Sequence, residues 1–439
     1  MKGKKIQLLI KIMIPAVIIG AGFGGYKILN DRAERSFNKT VVVNDSEASY
    51  IDENDSSLEI LSKEAFGDVE GFSGNYGFIN DNEVLIGIGL SKEEFFEKYP
   101  DEIDKTDDDL FWQQQDDQYG KLYVYNLKDS SKRLLNTKVR DMFSDSALSL
   151  SKYAYINGDN VSIFDIVKNS EVGHIDGDVF KNYDYEDFLE PESSMWSKDG
   201  STLISYDNEN LVLYNVEENS IKKIKVDNGE RHVSILPSYY SEDGKEVYFV
   251  GTRYKKNIGS QGIYKINVDT ESIEEVFSLP YVDHSKHDYS KYSGIQSNDY
   301  CVLDDGKRII FNGTIEGIDG TYIYNMEEEK FYNVIPNKVK SERGSYSSTI
   351  WVSPDKTKVV YMDLVKEEGE EQWNLYAANI NGNNLTNRIC IYNNIKQSRL
   401  GIKWSSDSKK IIFFTTDSFT TKNYISIADK NEVNIITFK

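Results

Sequence analysis

Cysteine is nearly absent: Cys301 and Cys390 are the two in 439 residues, so no disulfide framework organises the chain. A single bridge remains arithmetically open, but the pair reads as two small buried hydrophobes. With 7 prolines and 30 glycines, collagen-like and proline-rich classes are excluded. Positive charge is also short. The 51 Lys and Arg face 72 Asp and Glu, a net charge of −21, and a polyanion of this kind does not seek nucleic-acid phosphate. Aromatic residues, by contrast, reach 13% with 30 Tyr, and hydrophobic residues total 39%. That apolar content builds a sizeable core and excludes a wholly disordered chain. The length accommodates one large repeat fold or two to three ordinary domains.

Acidic residues are missing altogether from the first 30 positions, which carry five lysines. Lys2, Lys4 and Lys5 precede an apolar stretch from Ile6 to Leu29, interrupted by Lys11. As a helix this stretch is roughly 36 Å long, enough to cross a bilayer. The basic flank places residues 1–5 in the cytoplasm and the remainder outside. The reading is a spanning signal-anchor over 6–29, with a cleaved signal peptide as the alternative; Gly20-Ala21-Gly22 is small enough for cleavage. Residues 30–60 read as a polar stalk, in which only Val41-Val42-Val43 has strand character.

From residue 61 to 439 a repeat with a period near 50 residues dominates. An aromatic or apolar residue, a polar pair and Asp-Gly lead into a short apolar run at Trp196–Gly200, Tyr240–Gly244 and Val302–Gly306. Variants without the glycine occur at Val352–Lys356 and Trp404–Ser408. Degenerate copies stand at Asn80-Asp81-Asn82 and Ser149–Lys152. A second apolar run follows each copy and ends in Asx, at Asn126, Asp165, Asn215, Asn267, Asn325, Asn379 and Asp429. Asp-Gly makes a tight hairpin turn because Gly accepts positive φ and Asp bonds nearby backbone. Asp199, Asp243, Asp305, Asp355 and Asp407 are therefore turn residues rather than a catalytic ring. The runs are short, rich in Ile, Val, Tyr and Phe, and apolar on both faces, so each sheet needs a cover on both sides. Four-stranded sheets stacked around an axis supply it. Seven units predict an all-β, seven-bladed β-propeller, with six or eight blades as alternatives.

The Trp-Ser-x-Asp-Gly element, with its apolar run and Ile-Tyr-like third strand, resembles the WD40-like (PD40-type) repeats of TolB-type bacterial propellers. The resemblance covers about residues 70–439. It implies a fold, and a family of envelope and surface proteins that bind partners; some relatives gate serine peptidases. That peptidase arrangement needs a Gly-x-Ser-x-Gly nucleophile elbow, which this sequence lacks; Gly71-Phe72-Ser73-Gly74 has the wrong spacing and reads as a loop into the first blade.

Two segments interrupt the repeat. Asp283-His284-Ser285-Lys286-His287-Asp288 offers metal-ligating types on one loop, but without defined zinc spacing it reads as a surface loop. The other is an insertion at about 90–117, between the second and third strands of the first blade. Ser91-Lys92-Glu93-Glu94 is a capping box opening a short helix with Phe95, Phe96 and Tyr99 on one side. An acidic loop follows, with Asp107, Asp108 and Asp109 and then Phe111 and Trp112. It lacks the pattern of a calcium loop. Insertions in repeats collect on one face and bind partners, so these eight residues form the candidate interaction element.

The functional expectation is a non-enzymatic protein-binding scaffold without cofactor. It is held by one N-terminal helix in a bacterial cytoplasmic membrane, with the propeller outside and an envelope or surface protein as partner. The small-molecule ligand, if any, is left open. The alternative is an extracytoplasmic propeller enzyme, a metal-dependent hydrolase or lyase acting on a sugar or lactone. The net charge favours basic partners or cation-bridged contacts.

Overall fold

The structure is a computed structural model. It describes residues 41–44, 58–66, 69, 71–100, 120–135, 148–176, 196–226, 231–233, 239–283, 292–336, 350–395 and 400–439, apart from short internal gaps, and single positions within 101–119. The apolar segment 6–29 lies outside these residues. Among the described residues no helix is long and apolar enough to cross a membrane.

Seven antiparallel sheets follow one another along the chain. Blade 1 comprises Phe72–Asn80, Glu83–Ile88, Lys121–Asn126 and Lys132–Leu134. Blade 2 comprises Leu148–Ser149, Lys152–Asn157, Asn160–Asp165 and Ser170–Ile175. Blade 3 has Thr202–Tyr206, Asn210–Asn215 and Ser220–Lys225, and a bridge from Trp196 to Leu203 stands in for its inner strand. Blade 4 runs through Tyr239–Tyr240, Glu246–Lys255, Ile258–Asn267 and Ile273–Ser278. Blade 5 contains Gly294–Leu303, Arg308–Ile315, Ile318–Asn325 and Lys330–Pro336. Blade 6 contains Ile350–Val352, Lys358–Glu367, Glu370–Asn381 and Asn384–Ile395. Blade 7 takes Lys403–Trp404, Lys410–Thr416 and Asn431–Phe438 from the end of the chain, and its outer strand, Ile60–Phe66, from the beginning.

The apolar clusters join these sheets into a ring. Ile163, Leu213 and Phe249 link blades 2, 3 and 4, and Tyr248, Ile263 and Phe311 link 4 and 5. Ile310 and Tyr361 join blades 5 and 6, and Val360 and Phe413 join 6 and 7. Ile86 meets Ile412 between blades 1 and 7, and Leu85 meets Phe164 between 1 and 2. The circuit closes, and it explains the doubly apolar runs, because each sheet is covered by a neighbour on both faces. The protein is a seven-bladed β-propeller.

The strand order divides the connections by face. In blades 1 to 6 the first-to-second and third-to-fourth turns lie at one end, here the turn face, and the first turn of blade 7 lies there too. Second-to-third connections and those between blades lie at the other, the loop face. The first turn is built the same way in blades 3, 4, 6 and 7. Ser197, Ser241, Ser353 and Ser405 each donate Oγ–H to the Asp two residues on, at 2.6–2.7 Å. The same Ser oxygens accept the N–H five residues on, at 2.8–2.9 Å. Each Asp also accepts the N–H two residues on. The residue after the Asp has positive φ: Gly200 (66°), Gly244 (70°), Lys356 (61°) and Ser408 (60°). Glycine is natural there because it lacks the Cβ that strains a left-handed residue.

The second turn repeats as well. Asn126, Asp165, Asn215, Asn267 and Asn325 accept following backbone N–H groups, and the fourth residue on has positive φ, from Ser130 to Glu329.

Several expectations are corrected in detail. In blade 6 the turn comes at Gly382 (φ 56°), past the expected Asn379, because the third strand extends to Asn381 and pairs there with Asn384 of the fourth. In blade 7 the run ending at Ala428 is not the third strand but half of a hairpin, Phe419–Lys422 with Ile425–Ala428. The third strand is Asn431–Phe438, since the N-terminal segment supplies the fourth. Phe72 already lies in a strand, so the Gly71 region is a turn (φ 71°) and not a longer loop. Cys301 is buried but Cys390 is exposed, and neither is in a disulfide. Val41–Asn44 does form a strand, added in parallel to the outer strand of blade 5.

Candidate interaction face

The loop face carries the departures from the repeat. The insertion leaves blade 1 after Ile88 and returns at Lys121. Its neck is closed by backbone bonds, Gly89 N–H to Gly71 O at 2.7 Å and Leu90 N–H to Asp117 O at 2.8 Å. A side chain at Gly89 would sit 2.1 Å from the Gln118 carbonyl, so glycine is required for the two arms to approach. The helix is Lys92–Lys98. Ser91 Oγ accepts the Glu94 N–H, and the Glu94 carboxylate accepts the Ser91 N–H at 3.0 Å, a complete capping box. These bonds from Ser91, backbone first and hydroxyl second, hold the Glu94 carboxyl below its usual range.

Within this element Phe95 is buried and packs edge-on against Phe96 and tilted against Tyr99. Phe96 and Tyr99 are partly exposed. Tyr99 donates its hydroxyl proton to Asp117, which also pairs with Lys98. Burial, then the bond to Asp117, pushes the Tyr99 phenol up to about 12. Phe95 is thus enclosed, while Phe96 and Tyr99 stay partly exposed. Asp107, Asp108, Asp109, Phe111 and Trp112 lie outside the described residues.

Blades 4 and 5 form the second prominence. Blade 4's central hairpin continues to Lys255 and Ile258 at its tip, with flanking strands Arg231–Val233 against Gly251–Arg253 and Val282–Asp283 against Ile258–Gly259. Three large apolar side chains are exposed on this side: Tyr254 (46%), Tyr292 (40%) and Ile318 (42%). Tyr292 and Ile318 are neighbours, because the Gly317 N–H donates to the Tyr292 carbonyl at 2.8 Å. The Ser293 hydroxyl accepts the Glu316 N–H and fixes the same corner. No sequence signal singles these residues out, since Tyr254 lies just past the buried apolar run Val247–Val250. His232 lies in the Arg231–Val233 flanking strand, whereas His284 and His287 are outside the described residues. Among the described residues no group of three or more His, Cys, Asp or Glu is placed to hold a metal ion.

The predicted turn residues lie on the opposite face. At Asp199 and Asp243 the Ser197 and Ser241 hydroxyls, followed by backbone donors, lower the carboxyl pKa. At Asp355 and Asp407 burial pushes upward but is outweighed by the Ser353 and Ser405 hydroxyls with backbone N–H groups. Asp305 differs. It has no serine partner and stands at φ 52° in a one-turn 3-10 element, Asp304–Gly306.

No family model matches the chain, and no curated protein matches it. Among solved structures, it is similar to that of U3-55K at 10% identity and a TM-score of 0.43, over 87% of this chain and 98% of that one. A chain in the mitotic checkpoint complex is similar at 11% identity and a TM-score of 0.39, over 90% and 96%. The propeller assignment rests on the seven sheets and their closure, not on these similarities.

Proposed function

We propose that this propeller is a non-enzymatic protein-binding scaffold of the TolB type, held by its N-terminal helix at a bacterial cytoplasmic membrane with the blades outside. One observation carries the binding role. The built insertion of blade 1 and the exposed Tyr254, Tyr292 and Ile318 of the blade 4–5 side all lie on the loop face. Tyr is a residue type enriched in protein contacts, where it supplies large area at low entropic cost. The basic, acid-free N-terminus followed by Ile6–Leu29 supports the anchor.

Proximity crosslinking on intact cells, with the native N-terminus kept, tests the reading. A reproducible envelope protein should be captured, and lost when residues 91–117 are deleted or Tyr254, Tyr292 and Ile318 are replaced by Ala. Capture that survives both changes would remove the loop face from the proposal. Turnover of a sugar or lactone by the purified protein would favour the enzyme alternative.

A further inference from the structure

The N-terminal segment does more than close blade 7. Val41–Asn44 pairs in parallel with the outer strand of blade 5, in the register Val41–Lys330, Val42–Phe331, Val43–Tyr332 and Asn44–Asn333. A free sheet edge accepts another strand unless charge, bulges or shortness prevent it. The other outer edges carry such devices. Blade 1 offers three residues, two of them Lys132 and Arg133. Blade 3 presents Lys222, Lys223 and Lys225, blade 4 Glu274 and Glu275, and blade 7 Lys63 and Glu64. Blade 2's outer strand shifts register between Glu171 and Gly173. Blade 6's outer strand shifts register three times and holds Asn387 and Asn394 at positive φ. Blade 5's outer strand also shifts register, between Asn333 and Ile335, but beyond the four residues that take the added strand, and it alone among these follows a single terminal charge, Lys330, with an uncharged run, Phe331-Tyr332-Asn333-Val334-Ile335.

The direction of the pairing carries information. The outer strand of blade 5 runs from the turn face at Lys330 to the loop face at Pro336. Val41, opposite Lys330, is therefore at the turn-face end, and the chain before it arrives from that side. We infer that the outer edge of blade 5 is a strand-docking site for this chain's own Val41–Asn44, and that this docking turns the turn face toward the membrane and the loop face away from it. The inference rests on the anchor reading for residues 6–29. Residues 30–40 then span at most about 40 Å, so the propeller is kept near the bilayer. The turn face is rich in acids, including Asp199, Glu217, Glu218, Asp243, Asp304, Asp305, Glu327, Glu328 and Asp355. Lys128, Lys152, Lys168, Lys245, Lys307, Lys356 and Lys409 stand among them. Its excess negative charge opposes contact with anionic headgroups, so the docked strand sets orientation while charge sets stand-off.

Two readouts test this in the full chain with Cys390→Ser. The first is a disulfide between Val43→Cys and Tyr332→Cys. Paired strands are about 4.8 Å apart, within the Cα range of a disulfide, whereas a partner two residues along is beyond it. The bond should form within one chain and should not form between Val43→Cys and Val334→Cys. A bond between two chains, or none, overturns the docking site. The second is energy transfer from a dye at Glu217→Cys (turn face) or Tyr254→Cys (loop face) to an acceptor on vesicle headgroups. Transfer should be stronger from position 217, and replacing Val42 and Val43 by Pro should remove the difference. Equal or reversed transfer in the vesicle-bound chain overturns the orientation and leaves the anchor standing. Failure to associate with vesicles removes the anchor and the orientation with it, and the disulfide then reports on the docking site alone.

Discussion

Ser408 Oγ accepts the backbone N–H of Asp355 at 2.9 Å, across the boundary between blades 7 and 6. Ser408 occupies the left-handed turn position that glycine holds in blades 3 and 4, and it is 1% exposed. Its hydroxyl thus explains its departure from the Asp-Gly pattern: it satisfies a donor of the neighbouring turn. Other polar links do the same around the ring. Lys152 Nζ donates to Gly200 O at 2.8 Å between blades 2 and 3, and Lys410 Nζ donates to Asp81 O at 2.9 Å between blades 7 and 1.

Ser408→Gly should therefore lower stability by about 1 kcal/mol, the net worth of one hydrogen bond, even though glycine suits the backbone. Lys356→Gly, at the matching position of blade 6, should be neutral or slightly stabilising, because relief of a left-handed residue is offset by unfolded-state entropy. Urea unfolding of the two variants checks the contrast. Equal losses would mean that the serine hydroxyl has no special part.

The four turn aspartates make stability fall in acid. Their folded pKa values are lowered below 3.8, so their contribution is present above the unfolded pKa and is lost as pH falls through the folded values. Asp199→Asn keeps an acceptor oxygen but cannot titrate. Its deficit relative to the parent should be constant above about pH 5 and shrink below pH 4. Thermal melts across that range measure it, and a pH-independent deficit would contradict the assignment.

Ring closure depends on Ile60–Phe66. Phe438 is fully buried opposite Ile60, and the Lys439 N–H donates to Glu59 O at 2.9 Å. A chain beginning at residue 68 should lose stability relative to one beginning at residue 58, and blade 7 amides should lose exchange protection first. Phe438→Ala should cost about 3–5 kcal/mol in either context that still closes. Unchanged protection in blade 7 would show that the shared blade is not the closure.

Ser91→Ala removes the cap of the insertion helix. Substitutions of this kind cost about 1 kcal/mol, so exchange at the Phe95 and Tyr99 amides should quicken about fivefold while the blades are unaffected. An unchanged rate would place the helix's stability in Phe95 packing alone.

The repeat was legible because its turns require particular chemistry. Asp199-Gly200 and Asp243-Gly244 announce hairpins locally, and the Asx spacing gives the period. The capping box at Ser91 was legible for the same reason, since its bonds span three residues. Asn379 and Asp429 misled because they match the turn pattern, whereas the position of a turn is settled by where paired strands end. In blade 6 the third strand runs on to Asn381, where it pairs with Asn384 of the fourth, and in blade 7 a distant strand occupies the fourth place.

Composition, turn residues and doubly apolar runs in the sequence determined an all-β ring of about seven stacked sheets with an insertion in the first. These are local or periodic properties, readable wherever hydrogen bonds close within a few residues. The tertiary structure alone decided that Ile60–Phe66 completes blade 7, that Val41–Asn44 docks on blade 5, and that Ser408 serves Asp355. It alone put Phe95 inside and left Tyr254, Tyr292 and Ile318 at the surface of one face. Those pairings join residues tens to hundreds of positions apart, and their partners are chosen by edge chemistry and packing once the ring has formed.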